Sequence, residues 1–329
     1  MGGDLHILLF TIVGLVAGIV LLGWAADRFI DASVKIAKVF NMSPVMIGMV
    51  LVGFGTSFPE FVVSAIAAAK NQAGLSIGNV IGSNIANFGM CLGITSLLYP
   101  LNIHSRIVKK DFLVLFVFSL FIGIFIFSGH LTQISGVCLL LALVMYFIWL
   151  YFSSKKGEIA TDALVVEVER ELSHDQVKMT QTVIWWFFSL FLVFVSSEIL
   201  VRSAIAMAQW FHVSSLFIGL TVVAIGTSLP ELAATIIAAK RNEPDIAIGN
   251  VIGSNIFNIL GVLAMPALLS PSKLASSVIY RDYPIMMLFT VVVWLLSALP
   301  PNKNQFSRGS GLILFIGFLV YMAVVIWFQ

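Results

Sequence analysis

The chain of 329 residues is 60% hydrophobic and 10% charged, with a mean hydropathy of +1.04, which excludes a soluble globular domain and defines a membrane protein. A net charge of +2, with no basic run interleaved with aromatics, argues against a nucleic-acid partner. The two cysteines, Cys91 and Cys138, lie in apolar stretches without metal-ligand spacing and read as packing residues.

Apolar runs follow one another along the chain, each near the length of about 20 residues that crosses a bilayer core of about 30 Å. The first, about Leu5 to Phe40, is long enough to tilt strongly; it lacks the basic start and cleavage site of a signal peptide and reads as a retained span. The second, about Val45 to Ala69, contains Gly53, Gly55 and Pro59, which loosen the helix and remove a backbone donor, so a break near its middle is expected. The third runs from about Ser76 to Leu98, and a polar ring of Arg106, Lys109, Lys110 and Asp111 precedes the fourth, about Phe112 to Phe127. The fifth ends near Phe152. Residues 153–181 form the extended polar segment, a solvated linker. A second set follows: about Val183 to Phe211, Leu216 to Ala239, Ile246 to Leu269, Tyr283 to Leu299 and Gly311 to Phe328. The expected fold is an all-α membrane protein of ten transmembrane helices, with residues 1–152 as the first five-helix repeat, 153–181 as a cytoplasmic linker and 182–329 as the second repeat.

Two blocks within these spans are duplicated. Gly55-Thr56-Ser57-Phe58-Pro59-Glu60 returns as Gly226-Thr227-Ser228-Leu229-Pro230-Glu231, an offset of 231 − 60 = 171 positions. The same offset maps Gly78-Asn79-Val80-Ile81-Gly82-Ser83-Asn84 onto Gly249-Asn250-Val251-Ile252-Gly253-Ser254-Asn255, Asn87 onto Asn258, and Lys110-Asp111 onto Arg281-Asp282. Such a gapless offset marks an internal duplication. Five is odd, so two copies in one chain enter the membrane from opposite sides, as an inverted repeat. Fourteen lysines and arginines, among them Arg28, Lys35, Lys155 and Lys240, then fall on one side, and Lys70, Arg202, Lys273 and Arg281 on the other. That bias places both termini outside the cytoplasm and the linker inside it.

Glu60 and Glu231 are the costly residues. A charged side chain at the centre of a span costs about 2.5–3.5 kcal/mol on insertion scales, and the spans offer neither glutamate a nearby Lys or Arg. An external cation is the favoured counter-charge; a protonated carboxyl hydrogen-bonded within the core is the alternative. Thr56, Ser57, Ser83 and Asn87 accompany Glu60, and Thr227, Ser228, Ser254 and Asn258 accompany Glu231. Hydroxyl, amide and carboxylate oxygens are hard ligands, suited to Ca2+ and Na+ rather than to soft metals. Carbonyls freed where a span breaks are tolerated only where they line a cavity or bind something. A spacing of four puts Ser83 with Asn87, and Ser254 with Asn258, on one helix face.

Gly-Thr-Ser-x-Pro-Glu followed by Gly-Asn-x-x-Gly-Ser-Asn-x-x-Asn, present twice, resembles the α-repeats of the cation/Ca2+ antiporter superfamily, most closely its prokaryotic Na+/Ca2+ exchanger branch. The resemblance implies a sodium/calcium exchanger fold in a prokaryotic inner (plasma) membrane, with spans 1 and 6 sliding over a core of the other eight. It implies a secondary antiporter, not an enzyme, that exchanges Ca2+ for Na+ by alternating access, with the two transported ions and the lipid bilayer as partners, no other cofactor, and a monomer sufficient for transport. The implied site is Thr56, Ser57, Glu60, Ser83, Asn87, Thr227, Ser228, Glu231, Ser254 and Asn258, with carbonyls near Gly53 and Ala224 as further ligands. Asn258 departs from the pattern, because many such exchangers have Asp there, and this leaves an H+- or K+-coupled antiporter open. A passive cation channel is the competing reading from another class; no nucleophile–base pair, phosphate loop or His/Cys cluster supports an enzyme. Asp27 beside Arg28, and its repeat mate Glu198 four residues before Arg202, read as interfacial ion pairs or as groups serving ion access.

Overall fold

A computed structural model of the protein describes residues 2–40, 42–102, 106–156, 179–210, 224–298 and 305–327. Twelve helical segments occupy them. α1 is Gly2–Val39, α2 Pro44–Thr56, α3 Phe58–Ala69, α4 Ala73–Leu98, α5 Arg106–Phe127 and α6 Gln133–Lys156. α7 is Met179–Trp210, α8 Ala224–Thr227, α9 Leu229–Lys240, α10 Pro244–Leu269, α11 Val278–Ala298 and α12 Arg308–Trp327. Among the described residues, eight helices are long and apolar enough to cross a membrane, and the bent pair α2 and α3 adds a ninth. The remaining expected span, the seventh, about Leu216 to Ala239, lies partly outside the described residues, and α8 and α9 are its described end. Most of the 153–181 linker lies outside them as well.

The breaks fall two residues ahead of the prolines. Ser57 (φ −83°, ψ 4°) separates α2 from α3, which meet at 41°, and Ser228 (φ −94°, ψ 8°) separates α8 from α9. Pro59 and Pro230 then sit in the first turn of the following helix, where a missing N–H leaves no intrahelical bond unmade. α3 and α9 also end alike. Asn71 and Asn242 both take the left-handed conformation at φ 58°, and Gln72 N and Glu243 N reach back to Ala67 O and Ala238 O at 2.8 and 2.9 Å.

Burial sorts the helices. The apolar stretches of α4 and α10 are 83% and 89% buried and form the centre, whereas those of α1 and α7 are 28% buried and that of α12 22%. α1 and α7 lie against each other and meet closely at Gly18, where a Cβ would come within 3.2 Å of the Leu200 backbone. α2 crosses α10 more tightly still, since a Cβ on Gly253 would lie 2.5 Å from Met49 Cα. Such backbone contact needs glycine on the crossing face.

Among the described residues, four two-residue strands are the exceptions to the all-α expectation. Leu101–Asn102 pairs with Gln305–Phe306, and His130–Leu131 pairs with Ser272–Lys273, both antiparallel. These pairings settle the relative orientation of the halves. α5 runs from the Leu101 side to the His130 side, whereas α11, its counterpart in the second half, runs from the Ser272 side to the Gln305 side. The two helices therefore cross in opposite directions, as an inverted repeat requires.

Candidate cation site

The site forms where the two breaks approach α4 and α10. Thr56 and Ser57 end α2; Glu60 stands in the first turn of α3, with exposures of 0%, 0% and 1%. Ser228 and Glu231 occupy the matching places on the second half and are fully buried, while Thr227 at the end of α8 is half-buried. Ser83 and Asn87 on α4, and Ser254 and Asn258 on α10, are buried too. Asn87 and Asn258 each open a π-helical turn, Asn87–Leu92 and Asn258–Val262; in the second, Leu263 N reaches the Asn258 carbonyl at 2.9 Å. Turns of this kind inside α-helices frequently mark functional sites.

Contacts between the halves bring these residues together. Ser57 Oγ donates to Glu231 Oε1 at 2.9 Å, and Thr56 also faces that carboxylate. Ser254 Oγ donates to the Gly53 carbonyl at 3.1 Å, and Thr56 Oγ1 to Asn250 Oδ1 at 3.3 Å. Asn87 Nδ2 donates to Asn255 Oδ1 at 3.0 Å, and Asn84 Nδ2 to the Asn255 carbonyl at 3.3 Å. Cys91 is more than packing: its thiol lies 3.7 Å from Asn87 Oδ1 and 3.6 Å from the Ser228 carbonyl, against the edge of this cluster. Both cysteines are free thiols. The Gly53 carbonyl, expected as an open ligand, is occupied by the Ser254 hydroxyl; Ala224 is the first residue of α8.

The unmet atoms define the chemistry. Both carboxylate oxygens of Glu60, Glu231 Oε2, Ser228 Oγ, and Asn258 Oδ1 and Nδ2 are buried without a hydrogen-bond partner. Glu60 and Glu231 belong to one cluster, since Ser57, which ends the helix before Glu60, donates to Glu231. A buried polar atom without a partner costs about 1–3 kcal/mol and an ionised one more, so so many in one place call for an occupant. Among the described residues no three His, Cys, Asp or Glu side chains converge to hold a metal unaided, so any ion here takes its remaining ligands from neutral oxygens.

Residues 79 and 250, quoted in the motif but left out of the ligand set, hold the glutamate-bearing helices, and Ser64 and Thr235 are their partners. The signal that finds them is the offset itself, since 64 + 171 = 235 and 79 + 171 = 250. Away from this cluster one pairing differs from expectation. Asp27 pairs with Arg241 at 2.7 Å rather than with Arg28, whose guanidinium lies over the Trp24 ring; adjacent helical residues point apart, whereas Arg241 at the end of α9 faces α1. Glu198 pairs with Arg202 at 2.6 Å, as expected.

A membrane-embedded inverted repeat with paired carboxylates and hard oxygen donors at its centre is the architecture of an ion antiporter. The sequence profile described as "Sodium/calcium exchanger protein" matches residues 10–153 and 182–327, and the chain belongs to that family, within the prokaryotic branch of the cation/Ca2+ antiporter superfamily. It is 37% identical to the putative antiporter CaxA of Alkalimonas amylolytica over 95% of this chain and 98% of that protein. It is 35% identical to the inner membrane protein YrbG of Escherichia coli, over 95% and 96% of the two chains. Its structure matches that of the sodium-calcium exchanger NCX_Mj with a TM-score of 0.79 and 29% identity, over 96% and 99% of the two chains.

Proposed function

We propose that the protein exchanges Ca2+ for Na+ across the membrane, binding them in turn between Glu60 and Glu231. The observation that carries the reading is Glu60, which is 1% exposed, has no hydrogen-bond partner on either carboxylate oxygen, and lies beside a second buried carboxylate. One Ca2+, or about two Na+, neutralises the pair, and hydroxyl, amide and carbonyl oxygens replace the lost hydration. The remaining ligands are Thr56, Ser57, Ser83 and Asn87 with Thr227, Ser228, Ser254 and Asn258. A cation taking Glu231 Oε1 turns the Ser57 proton aside, so that the hydroxyl presents a lone pair instead. Crossing with the site empty would carry two bare carboxylates past apolar walls, which enforces exchange over leak.

α1 and α7 suit the moving part. They are the longest helices, 38 and 32 residues, they pack along each other, and they bury little of their surface. Sliding over α2, α3, α8 and α9 would open the site to one side and then the other. The decisive experiment is Ca2+ flux into proteoliposomes under imposed Na+, K+ or H+ gradients. Ca2+ uptake driven by an outward Na+ gradient supports the reading; uptake driven only by H+ or K+ reassigns the coupling ion, and uptake without any counter-ion makes the protein a channel.

A further inference from the structure

Asn79 and Asn250 are not among the ten proposed ligands, yet each grips the residue that carries the charge. Asn79 Nδ2 donates to the Glu60 carbonyl at 3.2 Å and to Ser64 Oγ at 3.0 Å. Asn250 Nδ2 donates to the Glu231 carbonyl at 3.2 Å and to Thr235 Oγ1 at 2.8 Å. Every member of the second set is the first set's residue plus 171, so the same clamp is built twice. An amide side chain has two N–H donors, and here both are committed to one short helix.

The geometry of the clamp decides what it controls. A carbonyl at one position and a hydroxyl four residues later lie on the same helix face, so holding both fixes the rotation of α3 against α4, and of α9 against α10. α3 and α9 are 12 residues each and begin at a break, so their own chain restrains that rotation weakly. Rotation is what aims the carboxylate. Asn79, Ser83 and Asn87 also share one face of α4 at intervals of four, so the amide that orients Glu60 belongs to the same rigid stripe that presents two of its co-ligands. Asn250, Ser254 and Asn258 repeat this on α10.

Asn250 makes one further contact. Its Oδ1 accepts the Thr56 hydroxyl at 3.3 Å, and the other acceptors of that hydroxyl are the Val52 and Gly53 carbonyls at 3.1 and 3.4 Å. These three compete for the one proton with the Glu231 carboxylate that Thr56 also faces, and with the proton turned to them the Thr56 oxygen presents a lone pair, the only form in which a hydroxyl binds a cation. Asn250 thus touches the glutamate backbone of one half and a hydroxyl ligand of the other.

We infer that Asn79 and Asn250 are positioning residues of the cation site: each fixes the aim of its glutamate, and Asn250 in addition sets the hydrogen-bond polarity of Thr56. The inference rests on the cation-site reading above. Partners that orient first ligands are typically worth about 10–100-fold in metal affinity, so Asn79→Ala should raise the KM for Ca2+ about tenfold and Asn250→Ala further, with kcat changed less than about threefold. A purely structural role would instead lower the amount of folded protein or kcat and leave KM in place. Ser64→Ala and Thr235→Val remove one acceptor each and keep the fold testable if an asparagine variant fails to insert. Thr235→Val should raise KM a few fold alone and add little on top of Asn250→Ala. The measurement is Ca2+ uptake against Ca2+ concentration in proteoliposomes, with the unmodified protein and Glu231→Gln alongside. An unchanged KM in the asparagine variants, where Glu231→Gln abolishes uptake, overturns the positioning inference alone. Uptake that survives Glu231→Gln overturns the site reading and this inference with it.

Discussion

The two halves of the molecule carry the same residues at the cation site and yet do not make the same contacts. Ser57 donates to Glu231, but its repeat mate Ser228 has a partnerless hydroxyl, and Glu60, the mate of Glu231, has no partner on either oxygen. The ten ligand side chains are identical between the halves, so the difference lies in their arrangement and in unlike neighbours such as Cys91, whose thiol lies 3.6 Å from the Ser228 carbonyl and whose repeat mate is Val262. Inverted repeats exchange environments when such a protein turns over, and one half must differ from the other in any single state. Further from the site the difference is written in the sequence. Asp27 and Asp31 on α1 both pair with Arg241, whereas the equivalents of Asp31 and Arg241 are Arg202 and Lys70. Buried Asp111 has no partner, while its mate Asp282 pairs with Arg281 and accepts from Tyr321. On the exchange reading proposed above, contacts that differ between identical residues would follow the conformation, and contacts that differ between unlike residues would set a preference for one conformation.

The largest expected effect tests the symmetric part. Glu60→Gln and Glu231→Gln keep size and remove charge, and each should lower Ca2+ uptake at least about a hundredfold while the protein still inserts and elutes as a folded species. Equal losses bear out an ion shared between the halves. Full uptake by either variant would refute the shared site.

Asn87 and Asn258 sharpen the comparison. Asn87 donates its Nδ2 to Asn255 Oδ1, so an aspartate there finds a donor only if the Asn255 amide, whose own Nδ2 is unpartnered, turns over. Asn258 has neither amide atom engaged, so an aspartate there breaks no hydrogen bond and turns over no neighbour. Asn87→Asp should therefore reduce folded yield, and Asn258→Asp should insert normally and make transport more sensitive to pH and voltage. In the unmodified protein a third Na+ would add uncompensated positive charge in a low-dielectric cage, so exchange should run near two Na+ per Ca2+. The reversal condition of Ca2+ flux, in vesicles clamped with valinomycin at several Na+ gradients, measures this. Reversal that tracks three Na+ would show that neutral oxygens carry the extra ion.

The fold was legible in the sequence wherever polarity contrasts with a lipid environment. The apolar runs, the duplicated blocks and the odd span number lead to an inverted repeat, and the paired loops at Leu101 and His130 bear that out. Glutamates and hydroxyls stood out as candidate ligands because they are costly where they lie. Asn79, Asn250, Ser64 and Thr235 did not, because neutral amides and hydroxyls in a helix satisfy themselves in many ways, and only the packing of α3 on α4 and α9 on α10 shows which. Asp27 was matched to Arg28 because neighbours in sequence are visible and a partner 214 positions away is not. The break expected near the middle of the second span falls at Ser57, which leaves Pro59 in the first turn of the following helix, where Pro is preferred.

The smallest effect concerns the bias. Arg241 holds Asp27 through Nε at 2.8 Å and Nη2 at 2.7 Å, with Asp31 3.5 Å from Nη1, so α1 is tied to the end of α9. In the second half Arg202 stands where Asp31 stands in the first and takes Glu198 within α7 itself, so Glu198 is neutralised before it can reach across to Lys70. Among the described residues, the ion pair that ties α1 to the end of α9 has no counterpart between Glu198 of α7 and Lys70. These side chains are about a third exposed or more, so screening limits the pair to about 0.2–1 kcal/mol, and breaking it should shift the balance between the two facing states by about fivefold at most. Cys91, at the edge of the site, can report that shift through its rate of labelling by a membrane-impermeant thiol reagent in a Cys138→Ser background. Arg241→Gln should change the rate by about twofold to fivefold, exchanging the charges with Asp27→Arg and Arg241→Asp together should restore it, and Glu198→Gln should leave it within experimental scatter. The salt dependence should follow, since a screened pair weakens as ionic strength rises. If Glu198→Gln moves the labelling rate as far as Arg241→Gln does, the latch is not confined to one half and the bias must come from elsewhere in the chain.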